Sequence, residues 1–262
     1  MEVDNRTVEV MLRRARPALR RAMKLIRRPE ARVATASSPI GRLFVAEGPH
    51  GLLAVRFLAI RDAERTLEML RQRFDLIENE PSTREIRRRI ERYFSGDLSV
   101  LTHPVDLTLV NSDFQRRALL RLRTVPPGAV ITYQGLAAAV GDPEAQRAIG
   151  NTMASNPIPI FIPCHRVIRS DGTIGNYGGG VRRKIVLLRN EGFPVPGNLR
   201  VPPRAVLGHY RSRIFCRPEC PTVKRGATVN HLIFADATHA RHAGMRPCGV
   251  CHPERDQFAA KA

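Results

Sequence analysis

The sequence of 262 residues lacks the features of several large protein classes. No apolar run approaches the roughly 18 residues that a membrane-spanning helix needs. The N-terminus lacks the apolar core and small-residue cleavage site of a secretory signal, and no internal repeat or low-complexity tract occurs. These absences argue against an integral membrane or repeat architecture, and we expect a soluble protein of the cytoplasm.

Acidic residues are also scarce. The chain carries 43 Lys and Arg against 24 Asp and Glu, a formal net charge of +19. Because neutralising phosphates releases counterions, nucleic acid is the partner that this surplus favours most, ahead of an anionic membrane or no polyanion at all. The 43% of hydrophobic residues is typical of a globular protein, and the length predicts roughly two domains.

Only five cysteines are present, and they are unevenly placed. Cys164 stands alone in the long N-terminal part, whereas the other four crowd into the last 47 residues. A disulfide framework fits poorly with an intracellular chain, in which close cysteine pairs more often bind metal. The split indicates two separate chemistries.

The N-terminal part predicts a basic extension and a small lobe. The pattern of residues 1–33 predicts short basic helices. They could form an arm that binds nucleic acid or a lipid surface, or they could pack on the body by their apolar side and leave the charged side in solvent. Residues 34–104 predict an α/β lobe, with a strand hairpin that turns at 48–51 and helices at about 62–74 and 83–95.

Residues 105–193 predict a mainly helical lobe. An amphipathic helix begins near Phe114 and is broken by the prolines and glycine of 124–128. Two further helices, at 134–140 and from Asp142 to about 155, are joined by a tight turn. They form a helix-turn-helix candidate, although packed helix pairs are also common as plain structure.

Cys164 follows an apolar, β-branched run at 156–163. The end of a strand is a good place for a nucleophile. A thiol needs a base or positive surroundings to ionise, and His165 and Arg166 could supply these. A small buried hydrophobe, the commonest fate of a free cysteine, is the alternative.

A longer set of residues around Cys164 forms a specific combination. It comprises Phe114-Gln115, Val125-Pro126-Pro127-Gly128, Thr132-Tyr133-Gln134, Arg147-Ala148-Ile149-Gly150, Asn156-Pro157, Ile162-Pro163-Cys164-His165-Arg166-Val167, Gly175-Asn176-Tyr177, Gly179-Gly180, Lys184, Leu187-Leu188 and Glu191-Gly192. Over about residues 34–193 the chain resembles O6-alkylguanine-DNA alkyltransferases. The resemblance implies a small ribonuclease H-like N-terminal lobe and a catalytic lobe with a helix-turn-helix.

In that family a cysteine thiolate takes the alkyl group from O6 of guanine by in-line displacement and keeps it, so each molecule acts once. The resemblance implies that Cys164 is this nucleophile, that His165 is its base and that Glu191 orients His165. It also implies that Tyr133 donates a hydrogen bond to the departing purine and that Asn156 fixes the local geometry.

The same resemblance implies how DNA is bound. The target base is extruded, Arg147 fills the space that it leaves, and small residues let the second helix of the helix-turn-helix enter the minor groove. Gly178 lies in the segment that closes over the flipped base and offers a backbone N–H. The expected DNA contacts are Arg147, Ala148, Thr152, Ser155, Arg166 and Gly178.

The four clustered cysteines form two short pairs, Cys216-x3-Cys220 and Cys248-x2-Cys251, separated by 27 residues. This spacing predicts a tetrahedral zinc site with four thiolate ligands, and two disulfides are the alternative. The surrounding sequence resembles the zinc-binding repair module of adaptive-response (Ada) proteins.

In that module the first ligand cysteine, here Cys216, also accepts methyl groups from DNA phosphotriesters. The module precedes the alkyltransferase domain in that family and follows it here. A structural zinc module that helps to bind DNA and a second alkyl acceptor therefore both stay open.

The sequence thus predicts an α/β plus α fold, with a proline-rich linker at 194–207 and a small zinc-bound module at 208–256. The expected function is DNA repair by a monomer, in which Cys164 irreversibly takes an alkyl group from O6-alkylguanine in double-stranded DNA. Because GxGxxG is absent from the glycine-dense stretch 172–180, we expect zinc but no organic cofactor. A non-catalytic DNA-binding regulator and a cysteine hydrolase are the alternatives.

Overall fold

The computed structural model describes residues 9–11, 13–18, 28–58, 62–225 and 231–254. Most of the predicted N-terminal extension lies outside these ranges, although 9–11 and 13–18 are helical and largely exposed. Within the described ranges, no helix combines the length and the apolar character that crossing a bilayer requires.

The N-terminal lobe is built on a four-stranded sheet in the order β3-β2-β1-β4. Its elements are β1 (Glu30–Ala36), β2 (Leu43–Gly48), β3 (Gly51–Phe57), α1 (Asp62–Arg71), β4 (Asp75–Ile77) and α2 (Glu80–Phe94). The predicted hairpin is confirmed, since β2 and β3 pair antiparallel around the Gly48–Gly51 turn. Strand β1 crosses the predicted boundary after residue 33, so the lobe begins at Glu30.

Helix α2 brings a tyrosine of this lobe toward the second lobe. The Asn79 side chain caps the helix by accepting a hydrogen bond from the Ser82 amide at 3.0 Å. Ile86, Ile90 and Tyr93 recur at helical spacing and are buried on one face. Because Tyr93 stands in the last turn of the helix, its hydroxyl reaches beyond the N-terminal lobe.

The second lobe is mainly helical, as predicted. Its elements are α3 (Asp113–Arg123), β5 (Ala129–Thr132), α4 (Tyr133–Ala139), α5 (Gln146–Ala154), β6 (Val167–Ile168) and α6 (Val181–Asn190). Helices α4 and α5 pack against each other and form the predicted pair. Helix α5 begins at Gln146 rather than at Asp142, because residues 142–145 form a turn.

The C-terminal module, which we define as residues 206–254, is not a separate unit. Its elements are β7 (Val206–His209), β8 (Ile214–Cys216), α7 (Pro221–Arg225), β9 (His231–Phe234), α8 (Ala237–His242) and β10 (Arg246–Pro247). The second lobe and the C-terminal module both contribute strands to one six-stranded sheet, in the order β10-β8-β7-β9-β5-β6. Ala129 of β5 lies opposite Phe234 of β9, and Val130 lies opposite Ile233.

The predicted linker is held against the second lobe instead of spanning two independent domains. The Val201 amide donates to the Gly172 carbonyl at 2.9 Å, and the Ile174 amide donates to the Leu199 carbonyl at 2.8 Å. Val195 is buried in the same lobe. The segment predicted as a linker at 194–207 is therefore packed on the second lobe, and the module that follows it shares a sheet with that lobe through the pairing of β9 with β5.

Phe234→Ala would remove a fully buried side chain from the shared sheet. A cavity of this kind costs about 3–5 kcal/mol, so we expect a large fall in the free energy of unfolding. Urea unfolding followed by far-UV circular dichroism measures it. The control is Leu120→Ala, at a 47% exposed position, which should change the value by less than about 0.5 kcal/mol. Equal effects of the two substitutions would contradict the shared core.

Candidate active site

Cys164 opens a short 3₁₀ turn, Cys164–Arg166, at the end of an irregular loop. The expected strand before it is absent, because three of the loop residues are prolines, which cannot donate backbone hydrogen bonds. The Asn156 side chain holds the loop instead, donating to the Ile162 carbonyl at 2.8 Å and accepting from the Ile158 amide at 3.0 Å. Ile160 has φ of 77°, a strained value for a β-branched residue.

Cys164 lines a cleft between the two lobes, and the residue is 7% exposed. One wall comes from residues 55–57 of β3, and another comes from the end of α5 and from Asn156. Gly178 and Gly179 line the cleft beside Tyr177. The cleft gives a small planar group a path to the sulfur.

Glu191 is the centre of a buried polar network. Its carboxylate accepts from Arg166 twice, at 2.6 Å from Nε and 2.7 Å from Nη2, and from the Tyr93 hydroxyl at 2.8 Å. His165 Nε2 lies 3.0 Å from Glu191 Oε1. Burial alone would raise the pKa of Glu191, but the charge of Arg166 and the hydrogen bonds outweigh it and hold that pKa well below its ordinary value.

His165 is fully buried and neutral. Burial lowers the pKa of His165, and the Glu191 carboxylate opposes this effect only in part. The proximity of Nε2 to Glu191 assigns the proton to Nε2, which leaves a lone pair on Nδ1. Within the described ranges neither ring nitrogen makes a hydrogen bond of good geometry, so the link between Nε2 and Glu191 is one of charge and proximity, and Nδ1 has no partner. The imidazole of His165 can therefore accept a proton there.

Tyr177 and Lys184 act on the thiol as well, and sequence reasoning gave neither of them a role. Burial raises the pKa of Cys164, whereas the nearby polar side chains of Asn156 and Tyr177 and the charge of Lys184 lower it. Burial lowers the pKa of Lys184 to about 8, so its ammonium group is still charged at neutral pH. The sequence does carry a signal for Lys184, since helical spacing places this lysine on the same face of α6 as Leu187 and Leu188, which are buried.

The Lys184 ammonium group is fixed by backbone oxygens. Nζ donates to the carbonyls of Val167 and Ile174 at 2.6 Å each and to that of Asn176 at 3.3 Å. Three acceptors match the three protons of an ammonium group. The lysine thereby joins the segment after Cys164 to the glycine-rich stretch that borders the cleft.

The expectation that Arg166 contacts DNA is wrong. This side chain is only 2% exposed, and its guanidinium is occupied by Glu191 and by the Val125 carbonyl. Within the 3₁₀ turn, Arg166 points to the interior. Its charge stabilises the carboxylate that lies beside His165.

Tyr133 begins helix α4 and is half-buried. Burial and the nearby Cys164 raise the pKa of Tyr133, so its hydroxyl stays protonated. It is therefore available as a hydrogen-bond donor. The structure thus places Tyr133 and Asn156 close to Cys164, and His165 beside Glu191.

Helix α5 presents most of the expected DNA contacts to solvent. Arg147, Ala148 and Ser155 are exposed, as is Gly178 at the cleft. Thr152 is 4% exposed, and its hydroxyl donates to the Ala148 carbonyl at 2.8 Å. The prediction for Thr152 is wrong, because the helical period turns this residue inward.

The four clustered cysteines meet in space. Their Sγ atoms lie within 4.8 Å of one another, which agrees with the roughly 3.8 Å expected between thiolates around tetrahedral zinc. The Arg217 amide donates to Cys251 Sγ and the Val250 amide to Cys248 Sγ, each at 3.4 Å. Four converging sulfur atoms with backbone donors fit a soft divalent metal. The cysteines are free thiols in the structure, which argues against the disulfide alternative.

The fold and the site define a two-lobed protein with an activated cysteine beside a helix-turn-helix and with a second, four-cysteine centre. Family models of 6-O-methylguanine DNA methyltransferase match both lobes, the ribonuclease-like domain at residues 31–107 and the DNA-binding domain at 113–193. Residues 200–254 match the metal-binding domain of Ada. The chain belongs to the methylated-DNA–protein-cysteine methyltransferase family, which confirms the resemblance and the predicted fold class.

Known relatives and solved structures match about three fifths of the chain. The methylated-DNA–protein-cysteine methyltransferase of Salmonella typhimurium is 36% identical over 172 residues, which are 64% of this chain and 98% of that protein. The bifunctional transcriptional activator/DNA repair enzyme Ada of Escherichia coli is 39% identical over 165 residues, 61% of this chain but only 45% of Ada. The crystal structure of Mycobacterium tuberculosis OGT in complex with DNA aligns with a TM-score of 0.51 at 32% identity, covering 62% of this chain and 93% of that one.

Glu191→Gln would leave Arg166 buried without a counter-ion, which costs about 3–5 kcal/mol. Because folding lowers the pKa of Glu191, its stabilisation is present at neutral pH and is lost as the pH falls below the ordinary carboxyl value of about 4. Urea unfolding at a series of pH values should show that the difference from the wild type is largest near neutral pH and shrinks in acid.

The control for this experiment is Glu80→Gln, in an exposed pair with Arg84, which should cost less than about 1 kcal/mol at any pH. A constant difference between Glu191→Gln and the wild type across this pH range would contradict the assigned ionisation of Glu191.

Proposed function

We propose that this protein repairs DNA by moving an alkyl group from O6 of guanine in a double strand to Sγ of Cys164. The observation that carries the proposal is the buried His165, whose Nε2 lies 3.0 Å from Glu191 Oε1 and whose Nδ1 has no partner within the described ranges; it directly follows in sequence a cysteine that lines a cleft. A protein that only binds DNA has no use for this arrangement. Family membership supports the same reaction.

The transfer begins with the proton of the thiol. His165 Nδ1 accepts it, and Glu191 stabilises the resulting imidazolium, in the manner of other nucleophile, base and acid triads. The positive charge of Lys184 stabilises the thiolate of Cys164. Since burial raises the pKa of this thiol, the thiolate is formed only when these partners are in place.

The thiolate then attacks the alkyl carbon in line with its bond to O6. The new S–C bond forms as the C–O6 bond breaks, and the electron pair passes to the guanine. The protonated hydroxyl of Tyr133 donates a hydrogen bond to the purine as negative charge develops. Because a thioether carbon is a poor electrophile, Cys164 keeps the alkyl group and each molecule acts once.

Binding to DNA is assigned to the exposed face of α5. Arg147 fills the gap left by the extruded base, and the small side chains of Ala148 and Ser155 permit close approach in the minor groove. The backbone N–H of Gly178 faces the flipped guanine. The net charge of +19 supplies salt-dependent attraction to the phosphates.

For the four-cysteine centre we propose one zinc ion held by Cys216, Cys220, Cys248 and Cys251. Zinc in such a closed site stabilises the fold and keeps its ligands deprotonated. A structural role for Cys216 is better supported than a second role as an alkyl acceptor, because the metal-binding module follows the alkyltransferase lobes here instead of preceding them.

Incubation of the protein with a duplex that contains O6-methylguanine should add a net CH₂ to its intact mass. Peptide mapping should place the methyl group on Cys164, and Cys164→Ser should show no gain. The four remaining thiols in that variant serve as an internal control. An unchanged mass with retained DNA binding would instead support a non-catalytic regulator, and repeated turnover with unchanged mass would support a hydrolase.

Elemental analysis should find one zinc ion per chain of the purified protein. Cys216→Ser should lose most of this zinc, because a three-sulfur site binds the metal less tightly. Cys164→Ser should retain it, since Cys164 lies outside the cluster. Equal zinc content in the two variants would contradict the proposed ligand set.

A further inference from the structure

We infer that the C-terminal module is a working part of the alkyl-transfer site, and that His239 is the residue through which it positions Glu191. This inference rests on the proposed function of Cys164. It assigns the module a role in the reaction at guanine O6, separate from any role in DNA binding or in accepting alkyl groups itself.

His239 is held in a fixed orientation at the start of helix α8. Asp236 caps this helix, and its Oδ1 atom accepts from the His239 amide at 2.9 Å. The same carboxylate oxygen lies 2.8 Å from His239 Nδ1. The imidazole ring is therefore anchored at one nitrogen, and the opposite edge is free to contact the second lobe.

That edge lies on two glycines of the second lobe. A Cβ atom at Gly192 would be 3.2 Å from His239 Nε2, and one at Gly128 would be 3.0 Å from His239 Cδ2. Both glycines have positive φ, at 82° and 74°. Only a residue without a side chain allows the ring to approach so closely in this conformation.

The two glycines belong to segments that carry the reaction. Gly192 directly follows Glu191, and Gly128 ends the break that leads into β5 and on to Tyr133. The carbonyl oxygen of Glu191 lies 3.5 Å from the position of a Gly128 Cβ. One ring of the module thus covers the point where both segments meet.

A second contact of the C-terminal module is made by Tyr210 with Arg121. The Arg121 guanidinium lies 4.0 Å from the centre of the Tyr210 ring, in the turn between β7 and β8. Arg121 stands in the last turn of α3, just before Val125, whose carbonyl accepts from Arg166. The module therefore contacts Gly192, which follows Glu191, and the end of the helix that leads to Val125, an acceptor of Arg166.

The four cysteines are tied into the sheet that makes these contacts. Cys216 ends β8, and the Cys248 amide donates to the Phe215 carbonyl at 2.9 Å. Strand β8 pairs with β7, β7 with β9, and β9 with β5. Assembly of the four-cysteine centre thereby fixes the sheet that places both β5 and α8.

The test compares His239→Ala with His242→Ala, which removes an exposed histidine from the same helix. At saturating duplex, we expect methyl transfer by His239→Ala to be about tenfold slower, because small displacements of catalytic groups are costly. Duplex affinity and zinc content should be unchanged, and amide hydrogen exchange at Gly192 should be faster. His242→Ala should match the wild type in all four measurements.

His239→Phe keeps a ring on the glycines and should recover most of the rate, which a general loss of stability would not allow. A rate for His239→Ala equal to that of the wild type would overturn the inference. A fall in duplex affinity with no fall in rate would also overturn it, because the module would then act on DNA binding.

Removal of zinc from the full chain with a chelator, under reducing conditions, supplies the second arm. We expect slower transfer and faster exchange at the Val130 amide, both reversed when zinc is returned. Unchanged exchange at β5 would overturn the link to the four-cysteine centre. If the wild type takes up no methyl group at all, the proposed function fails, and the exchange at Gly192 in the two histidine variants still decides the contact.

Discussion

The buried carboxylate of Glu191 is the constraint on which the site depends. It is reached by Tyr93 from the N-terminal lobe, by His165 and Arg166 from the 3₁₀ turn, and it stands at the end of α6. A charge taken out of water is destabilising unless it is paired and hydrogen-bonded. Its partners come from both lobes, Tyr93 from α2 and His165 and Arg166 from the 3₁₀ turn, so the carboxylate can be stable only when the two lobes are correctly assembled. Folding of the two lobes and assembly of this network are thus the same event.

Opposing effects act on the ionisation of the Cys164 thiol. Its burial favours the protonated form, while Lys184, Tyr177 and Asn156 favour the thiolate. A dry thiolate is a stronger nucleophile than a hydrated one because no solvent shell must be removed. The same dryness limits reaction with small electrophiles in bulk solvent.

Much of the site could be predicted from the sequence, because the residues with a chemical role stand in short, specific patterns. Cys164, His165 and Glu191 were placed together on the resemblance alone, and the structure shows the contact between His165 and Glu191. The inward orientation of the Arg166 and Thr152 side chains could not be predicted. It depends on the exact backbone of the 3₁₀ turn and on the rotation of helix α5, which the sequence pattern does not define. The pairing of β5 with β9 joins positions about a hundred residues apart, and no local pattern records it.

The proline-rich stretch before Val206 separates the second lobe from the C-terminal module in sequence. The sheet nevertheless joins the two parts, because β5 pairs with β9. Removal of the module would therefore break backbone hydrogen bonds of β5. A chain that ended before Val206 would expose the backbone of β5 as an open edge, which invites another copy to complete the sheet. The C-terminal module thus doubles as a cover for the edge of β5, whatever else its four cysteines do.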